Sequence, residues 1–432
     1  MVVYYYNIIV GDKFVGGIGM PQKLKRSPGT WVDGDRFWNR ERELKLFMEY
    51  LRQGTHLRLV AQRRIGKTSL MREAARHLDH ELWCLHIDLQ KSHSPQDAIV
   101  EISLAAHAHA PAWERVKGVF ANVLDRVESV GVDELSVTLR SGLTAGDWQA
   151  KGDRLLATLA ELDKPVVLFV DEVPILVSRL LKGADYKITP ERRQETDAFL
   201  SWLRYNAIRH QNSLTFVLTG SVGLEPIVRQ AGLSGTLNAF TAFELGPWEP
   251  DVATACLQAL ASEAGLRLEA AAIDHMLDRL GACIPGHVQM FFDHLYRACR
   301  QRDSSEVSTE LVAEVYEDSM LGTRGHVELS HMEERLKMVL EPERYLLGLD
   351  LLTEAAVSSR LTPETARGIL SAHDAEEERP AEVLGTVLGI LEHDGYLRKD
   401  GDGYVFVSTL LKDWWKRHLG FSYVPIAERE GR

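Results

Sequence analysis

The sequence lacks three features that would define its class at once. Its four cysteines, Cys84, Cys256, Cys283 and Cys299, are scattered without Cys-x-x-Cys spacing, which argues against a zinc site or a disulfide framework and fits a reducing cytoplasm. No apolar run approaches the roughly 18 residues of a transmembrane helix, so no membrane partner is expected. Basic residues are not in excess: the formal net charge of −12 excludes a general nucleic-acid coat but not a local basic patch.

What remains is the composition of an ordinary globular chain. Hydrophobic residues make up 45% of the 432 positions and charged residues 26%, and the length predicts two to four domains. The apolar start lacks the basic region and the small-residue cleavage site of a signal peptide. We expect a flexible arm over residues 1–30, with Met1 and Met20 both open as the true start.

The strongest signal is a short apolar run followed by a loop and an amphipathic helix. The run ends at Ala61, the loop closes with Gly66, Lys67 and Thr68, and a helical pattern follows. A strand, loop and helix in this order predict a nest of N–H groups for phosphate, with Lys67 at the β- and γ-phosphates and Thr68 on Mg²⁺. Alanine stands where the motif has its first glycine, so the turn must form there without a left-handed residue. The residues expected to hold the nucleotide here are Ala61, Arg63, Arg64, Ile65, Gly66, Lys67, Thr68 and Ser69.

A second apolar run, residues 165–170, ends in the two carboxylates Asp171 and Glu172, here called the acid pair. At the tip of a buried strand, Asp171 would hold Mg²⁺ through water and Glu172 would deprotonate the attacking water. A strand that simply ends at the surface is the alternative. It is less favoured because the phosphate-loop pattern, residues 61–68, accompanies the pair.

Strand and helix patterns alternate from about residue 35 to 248 and predict a parallel α/β sheet. The alternating segment 134–141 suggests a small exposed hairpin, and residues 249–318 read as helical. A double Asp-Gly turn within residues 396–407 predicts a second hairpin. The five predicted sheet strands are 57–61, 82–88, 166–170, 214–219 and 241–245.

Together these motifs resemble the STAND and archaeal-type P-loop ATPases within the AAA+ group. Besides the phosphate loop and the acid pair, the resemblance rests on four local matches. They are the paired Arg63-Arg64, a box from Phe37 to Leu44 with Asn39 where glycine is usual, the Thr219-Gly220-Ser221 segment, and Gly246-Pro247-Trp248.

The resemblance implies an ATPase domain at 31–248 with strand order 5-1-4-3-2, a helical lid at 249–330, a winged helix at 331–425 and a tail at 426–432. It places Phe37, Arg40 and Pro247 near the adenine. It also makes Thr219 or Ser221 the sensor of the lytic water or γ-phosphate, although both hydroxyls could instead cap the turn at Gly220.

The arginines that many relatives use are less evident. The lid segment 281–289 contains none, which leaves His287 as the candidate to approach a phosphate, and a structural histidine is the simpler alternative. Arg204 and Arg209 precede the fourth strand, where a finger arginine for a neighbouring subunit would lie, but both also fit a solvated surface.

The residues of the predicted winged helix do not favour sequence-specific DNA binding. Residues 381–394, which precede the wing, contain no Lys, Arg, Asn or Gln. The basic residues near it, able to touch a DNA backbone, are Arg398, Lys399, Lys412, Lys416 and Arg417.

Three functions remain open. The favoured one is a nucleotide-gated switch that binds ATP or ADP with Mg²⁺, hydrolyses ATP slowly, and engages a protein partner or its own copies through lid and winged helix. The alternative is a DNA-acting AAA+ loader of the origin-recognition or transposition type. A scaffold that holds ADP without turnover is the third, and the intact acid pair weighs against it.

Overall fold

The computed structural model describes residues 7–10, 13–16, 24–27, 29, 31–124, 131–373 and 380–429, without the side chains of residues 7–16 and of Thr323, Arg324 and Glu328. Most of the predicted arm, with both candidate starts, lies outside the described residues. Within it, β1 (Asn7–Val10) pairs antiparallel with β2 (Lys13–Gly16).

A five-stranded parallel sheet forms the centre of the first half of the chain. Its spatial order is β4-β5-β6-β3-β7, which confirms the predicted order 5-1-4-3-2 and the P-loop NTPase fold. Every residue of β6 and the first five of β5 are buried, as expected for central strands covered on both faces, whereas three of the four residues of the edge strand β7 are exposed. The strands are β3 (Leu57–Val60), β4 (Trp83–Asp88), β5 (Val166–Asp171), β6 (Leu214–Leu218) and β7 (Thr241–Glu244).

Helices cover both faces of this sheet. Alternate residues of β5 enter two separate cores: Val167 and Phe169 pack with α1 and α2, while Leu168 and Val170 pack on the opposite side. The helices are α1 (Glu41–Arg52), α2 (Lys67–Leu78), α3 (Pro95–His107), α4 (Ala110–Val116), α5 (Ala121–Leu124), α6 (Val132–Ser141), α7 (Trp148–Ala160), α8 (Val173–Lys182), α9 (Pro190–Arg209) and α10 (Leu224–Gln230). Short 3-10 helices span Gly34–Arg36, Lys117–Phe120 and Ser234–Leu237.

The hairpin predicted at 134–141 is wrong, because α6 occupies this segment. Leu135 and Leu139 are buried, but Val137 between them is 71% exposed. Burial at i and i+4 with exposure at i+2 follows the helical period, whereas the letters alone also alternate with the period of a strand.

The second half of the chain is mainly helical. Residues 249–318, predicted to be helical, form helices interrupted by two short strands that pair with each other. The first group is α11 (Pro250–Ala264), β8 (Arg267–Leu268), α12 (Ala270–Leu280), α13 (Pro285–Gln301), β9 (Glu306–Val307), α14 (Thr309–Val315) and a π-helical turn, Tyr316–Met320. The second is α15 (Thr323–Val339), α16 (Pro342–Val357), α17 (Pro363–Ala372), α18 (Pro380–His393), β10 (Leu397–Asp400), β11 (Gly403–Phe406), α19 (Thr409–His418) and α20 (Ile426–Arg429).

The Asp-Gly hairpin is confirmed, with Asp400 paired to Gly403 across a two-residue turn in which Gly401 has φ of 56°. The predicted division between 330 and 331 falls inside α15. Among the described residues, no helix combines the length and the apolar character needed to cross a membrane.

Candidate functional site

The phosphate loop joins β3 to α2 and folds around its own lysine. Arg64 and Gly66 supply the left-handed residues of the loop, with φ of 66° and 100°, and Ala61 has no positive φ, as expected. The Lys67 ammonium donates to the carbonyls of Ala61 and Gln62, each at 2.8 Å. Burial lowers the pKa of Lys67 to about 8, although Glu172 and Asp171 oppose the shift.

Thr68 and Asp171, the two residues predicted to hold Mg²⁺, lie within hydrogen-bonding distance of each other. The Thr68 hydroxyl donates to one Asp171 carboxylate oxygen at 3.2 Å, and the Glu172 backbone N–H donates to the other at 2.9 Å. Burial first, and then Glu172, raise the pKa of Asp171 to about 6. A hydroxyl and a carboxylate at this spacing are the hard oxygen donors that Mg²⁺ prefers, so the residues present fit this ion.

Glu172 combines an unusual backbone conformation with a carboxylate that is hydrogen-bonded by one serine. It precedes α8 with φ of 58°, a left-handed value that non-glycine residues adopt at a cost. The Ser221 backbone N–H and hydroxyl donate to the same Glu172 carboxylate oxygen, at 3.0 and 2.7 Å. Of the two candidate sensors, Ser221 therefore contacts the acid pair.

Thr219 lies deeper, at 3% exposure, and its main chain joins two strands of the sheet. Its N–H donates to the carbonyl of Val170, and its own carbonyl accepts from the N–H of Val173. The Thr219 hydroxyl has no hydrogen-bond partner in the described part of the chain. Thr219 lines a small cavity together with Pro174 and Asp394, and it is not among the described residues that line the cleft around Lys67.

These groups open into one cleft formed by several separate segments of the chain. Its walls come from the phosphate loop and the start of α2, from the acid pair with the Gly220–Ser221 turn, from the N-terminal segment, and from α13 and α15. The lining residues are Ser27, Gly29, Trp31, Val32, Arg63, Arg64, Gly66, Lys67, Thr68, Ser69, Gln90, Asp171, Glu172, Gly220, Ser221, Pro285, Gly286, Gln289 and Arg335.

The three residues predicted near the adenine, Phe37, Arg40 and Pro247, lie outside the lining of the cleft. The Arg40 guanidinium is buried and donates to the carbonyls of Gly246 at 2.7 Å and Ile65 at 3.4 Å, so it braces the phosphate loop against the end of β7. Phe37 packs against the core that contains Ile65, and Pro247 is exposed. None of the three lines the cleft, and their contact with the base stays a prediction.

The N-terminal segment supplies lining residues that sequence reasoning missed. The Val32 N–H donates to the Ser69 hydroxyl at 3.0 Å, which fixes the segment on α2. Trp31 beside it is 46% exposed, with the Arg72 guanidinium 3.7 Å from its ring centre. The tryptophan upstream of α1 was the available signal, but the sequence does not show that Arg72 packs against its ring.

Helix α13 approaches the loop through a glycine, Gly286, and not through His287. The Gly286 N–H donates to the Arg64 carbonyl at 3.0 Å, and a Cβ on Gly286 would lie 2.8 Å from the Arg64 Cβ. His287 is not one of the described residues that line the cleft. Arg204 and Arg209 are exposed on α9, where the Arg209 guanidinium lies 3.4 Å from the Tyr205 hydroxyl.

A corner near the C-terminus, residues 393–396 and here called the C-terminal corner, touches the loop from the other side. The Gln62 amide donates to the Gly395 carbonyl at 3.0 Å, and the Gly223 N–H donates to Asp394 at 2.9 Å. Gly395 has φ of 76°, and a side chain there would overlap Gln62. The corner therefore contacts both the phosphate loop and the turn that carries Ser221.

No protein-family model matches the chain, and no curated protein matches its sequence. Solved structures do match its shape. The Walker-type ATPase PABY2304 of Pyrococcus abyssi superposes with a TM-score of 0.60 at 15% identity, covering 90% of this chain and 98% of that one. The Aeropyrum pernix ORC2 protein, solved in ADPNP and ADP complexes, superposes with a TM-score of 0.51 at 11% identity, covering 89% and 96%. At such identities the likeness shows the fold alone: the chain has the α/β fold of P-loop ATPases, followed by helical C-terminal segments.

Proposed function

We propose that this chain binds ATP with Mg²⁺, hydrolyses it slowly and acts as a nucleotide-gated switch of the STAND and AAA+ type. The observation that carries the proposal is the convergence of Lys67, Thr68, Asp171, Glu172 and Ser221 on one cleft. Each was selected from the sequence for a step of phosphoryl transfer, and they come from three different strand ends of the parallel sheet.

The phosphate end of the nucleotide lies, in this proposal, on the loop and the start of α2. The loop N–H groups and the positive end of α2 favour an anion, and Lys67 adds a buried point charge. Thr68 and Asp171 hold Mg²⁺, which supplies charge neutralisation at the phosphates when bound.

Glu172 is the general base of the proposed reaction. A carboxylate can accept a proton from water only if it is aimed at it, and the two Ser221 hydrogen bonds restrict the position of one carboxylate oxygen. The second carboxylate oxygen is left to act on water. Slow turnover suits a switch, because the ATP-bound state must last long enough for a partner to bind it.

The gating part of the proposal rests on the C-terminal corner. We assign α17, α18, the β10–β11 hairpin and α19 to a winged helix, whose corner hydrogen-bonds Gln62 and Gly223. Closure of the cleft on nucleotide would shift these two contacts, and the winged helix would then offer a different surface to a protein partner or a second copy of the chain.

The first test measures binding and assembly together. Lys67→Ala should weaken binding of a non-hydrolysable ATP analogue by about 10- to 100-fold in calorimetry, since a charge-assisted contact is lost. Lys45→Ala, at an exposed lysine of α1, is the control for lost charge. A wild-type elution volume that changes between ADP and the analogue with Mg²⁺ supports the switch. Unchanged affinity of Lys67→Ala contradicts the nucleotide site itself.

The DNA-acting alternative has one supporting observation: Arg398 and Lys399 are exposed on β10. Against it, the charged side chains exposed on α18 are the carboxylates Glu382 and Glu392. Fluorescence anisotropy with duplex DNA at several salt concentrations separates the two functions. A binding constant that falls steeply with salt would favour the loader, and no measurable binding would favour the switch.

A further inference from the structure

Arg335 enters the cleft from a part of the chain that no sequence motif connects to it. It lies within α15, beyond the predicted lid helices, yet it lines the same cleft as Lys67, Glu172 and Ser221. The other described cations on the cleft wall, Arg63, Arg64 and Lys67, all belong to the phosphate loop or the first residue of α2. Arg335 is thus the one cation among them that faces the loop from outside.

One nitrogen of its guanidinium is buried and, within the described part of the chain, unsatisfied. The Nη1 atom is buried and has no hydrogen-bond partner among the described residues. Burial lowers the pKa of Arg335, and Glu172 is the first of the groups that oppose this shift. A buried N–H group without an acceptor is costly, and an anionic group in the cleft that accepts from Nη1 would remove that cost.

The helix around Arg335 is fixed on both sides. Three residues before it, the Met332 carbonyl accepts from the Tyr396 hydroxyl at 2.6 Å. Three residues after it, the Met338 carbonyl accepts from the Ser178 hydroxyl at 2.7 Å. The first of these contacts ties α15 to the C-terminal corner, and the second ties it to α8, the helix that follows the acid pair.

The end of α15 has further anchors on the sheet domain. The Val339 carbonyl accepts from the Gln230 amide of α10 at 3.0 Å and from the ammonium of Lys182 on α8. Donors placed on the last carbonyls of a helix satisfy groups that the helix itself leaves free. The position of Arg335 is therefore set before any ligand arrives.

We propose that Arg335 binds the terminal phosphate of the bound nucleoside triphosphate, from within the same chain. The inference rests on the proposed function. Its place next to Glu172 and Ser221 puts it at the γ-phosphate end, whereas the loop N–H groups and Lys67 serve the β-phosphate. Because α15 is tied to α8 and to the C-terminal corner, this contact makes the C-terminal segments sensitive to the presence of the third phosphate.

The test compares affinities for ADP and for a non-hydrolysable ATP analogue, both with Mg²⁺, by calorimetry. Arg335→Ala should lower the analogue affinity about 10- to 100-fold and leave the ADP affinity within about twofold. Arg335→Lys should lose less, since it keeps the charge without the planar fork. The matched control is Lys337→Ala, which removes a cation from an exposed position of the same helix and should change neither affinity.

An equal loss of ADP and analogue affinity, or no loss of either, would overturn the role of Arg335. Normal binding by Arg335→Ala with weak binding by Lys67→Ala leaves the nucleotide site intact, so the two proposals fail separately. Thermal unfolding without nucleotide adds a second readout: the midpoint of Arg335→Ala should stay level or rise, because a buried N–H group without an acceptor is removed. If Arg335→Ala does not fold, the ratio of the two affinities in Arg335→Lys decides, and an unchanged ratio overturns the proposal.

Discussion

Ser221 holds Glu172 through two hydrogen bonds to one carboxylate oxygen, from its N–H at 3.0 Å and from its hydroxyl at 2.7 Å. The two residues come from adjacent strands, since Glu172 follows β5 and Ser221 follows β6. The contact spans 49 residues of sequence. It connects the proposed base to the Gly220–Ser221 turn.

Ser221→Ala should therefore reduce turnover without preventing binding. The backbone N–H remains, so Glu172 loses one of two restraints, and we expect ATP hydrolysis to fall about tenfold with analogue affinity nearly unchanged. Steady-state hydrolysis and calorimetry measure the two quantities. Ser201→Ala, on the exposed face of α9, is the matched control. A wild-type rate in Ser221→Ala would show that the hydroxyl does not position the base.

Substitutions at the two residues of the acid pair should affect ATP hydrolysis and ATP binding differently. Glu172→Gln keeps size and hydrogen bonding but removes the base, so turnover should fall by about 10²-fold or more while ATP still binds. Asp171→Asn should also weaken the Mg²⁺-dependent part of binding, because the carboxylate that accepts from Thr68 is lost. Titrations with and without Mg²⁺ distinguish the two variants. Hydrolysis at the wild-type rate in Glu172→Gln would reduce the protein to a nucleotide-binding module.

The contact of Gly286 on α13 with the phosphate loop leaves no room for a side chain. Gly286→Ala places a Cβ 2.8 Å from the Arg64 Cβ and 3.2 Å from its carbonyl oxygen, so α13 must move away from the phosphate loop. We expect a loss of about 1–3 kcal/mol in the free energy of unfolding, measured in urea, together with weaker nucleotide binding. Gly385→Ala, at an open helical position of α18, should instead be neutral or stabilising. Equal behaviour of the two variants would argue against close packing of α13 on the phosphate loop.

The burial of Lys182 should make the free energy of unfolding depend on pH in a specific way. Burial lowers its pKa to about 8, from 10.5 in a solvated lysine. Between these two values the unfolded chain binds more protons than the folded one, so stability rises with pH across that window, by at most about 1.4 kcal/mol per pH unit. Below pH 8 both states are protonated, and the cost of the buried charge is fully present.

Urea unfolding of wild type and Lys182→Met at pH 7.5 and 9.5 measures this effect. The stability of wild type relative to the variant should increase at the higher pH. Lys187→Met, at an exposed lysine of the same segment, controls for the loss of one positive charge. A stability difference that does not change with pH would mean that the Lys182 ammonium is not desolvated as its contacts with α15 suggest.

Much of the sheet and the phosphate end of the site follow from local patterns. The runs that became β5 and β6 are apolar throughout because both faces of those strands are covered, and a buried strand followed by Gly-Lys-Thr has few other readings. The segment 134–141 shows the limit of such reasoning. Leu135, Val137 and Leu139 fit both periods, and only packing against the rest of the core decides which positions are buried.

The sequence by itself determined the succession of the five sheet strands, the loop after the first strand, the acid pair and the serine after the fourth strand, because each depends on residues that are neighbours along the chain. Tertiary structure alone decided that Arg40 braces the loop, that the C-terminal corner touches Gln62, and that Arg335 enters the cleft. The hydrogen bonds among these contacts join residues from 25 to 333 positions apart. Such long-range contacts depend on how the helices pack on the sheet. This packing is a property of the whole core, and no local sequence motif predicts it.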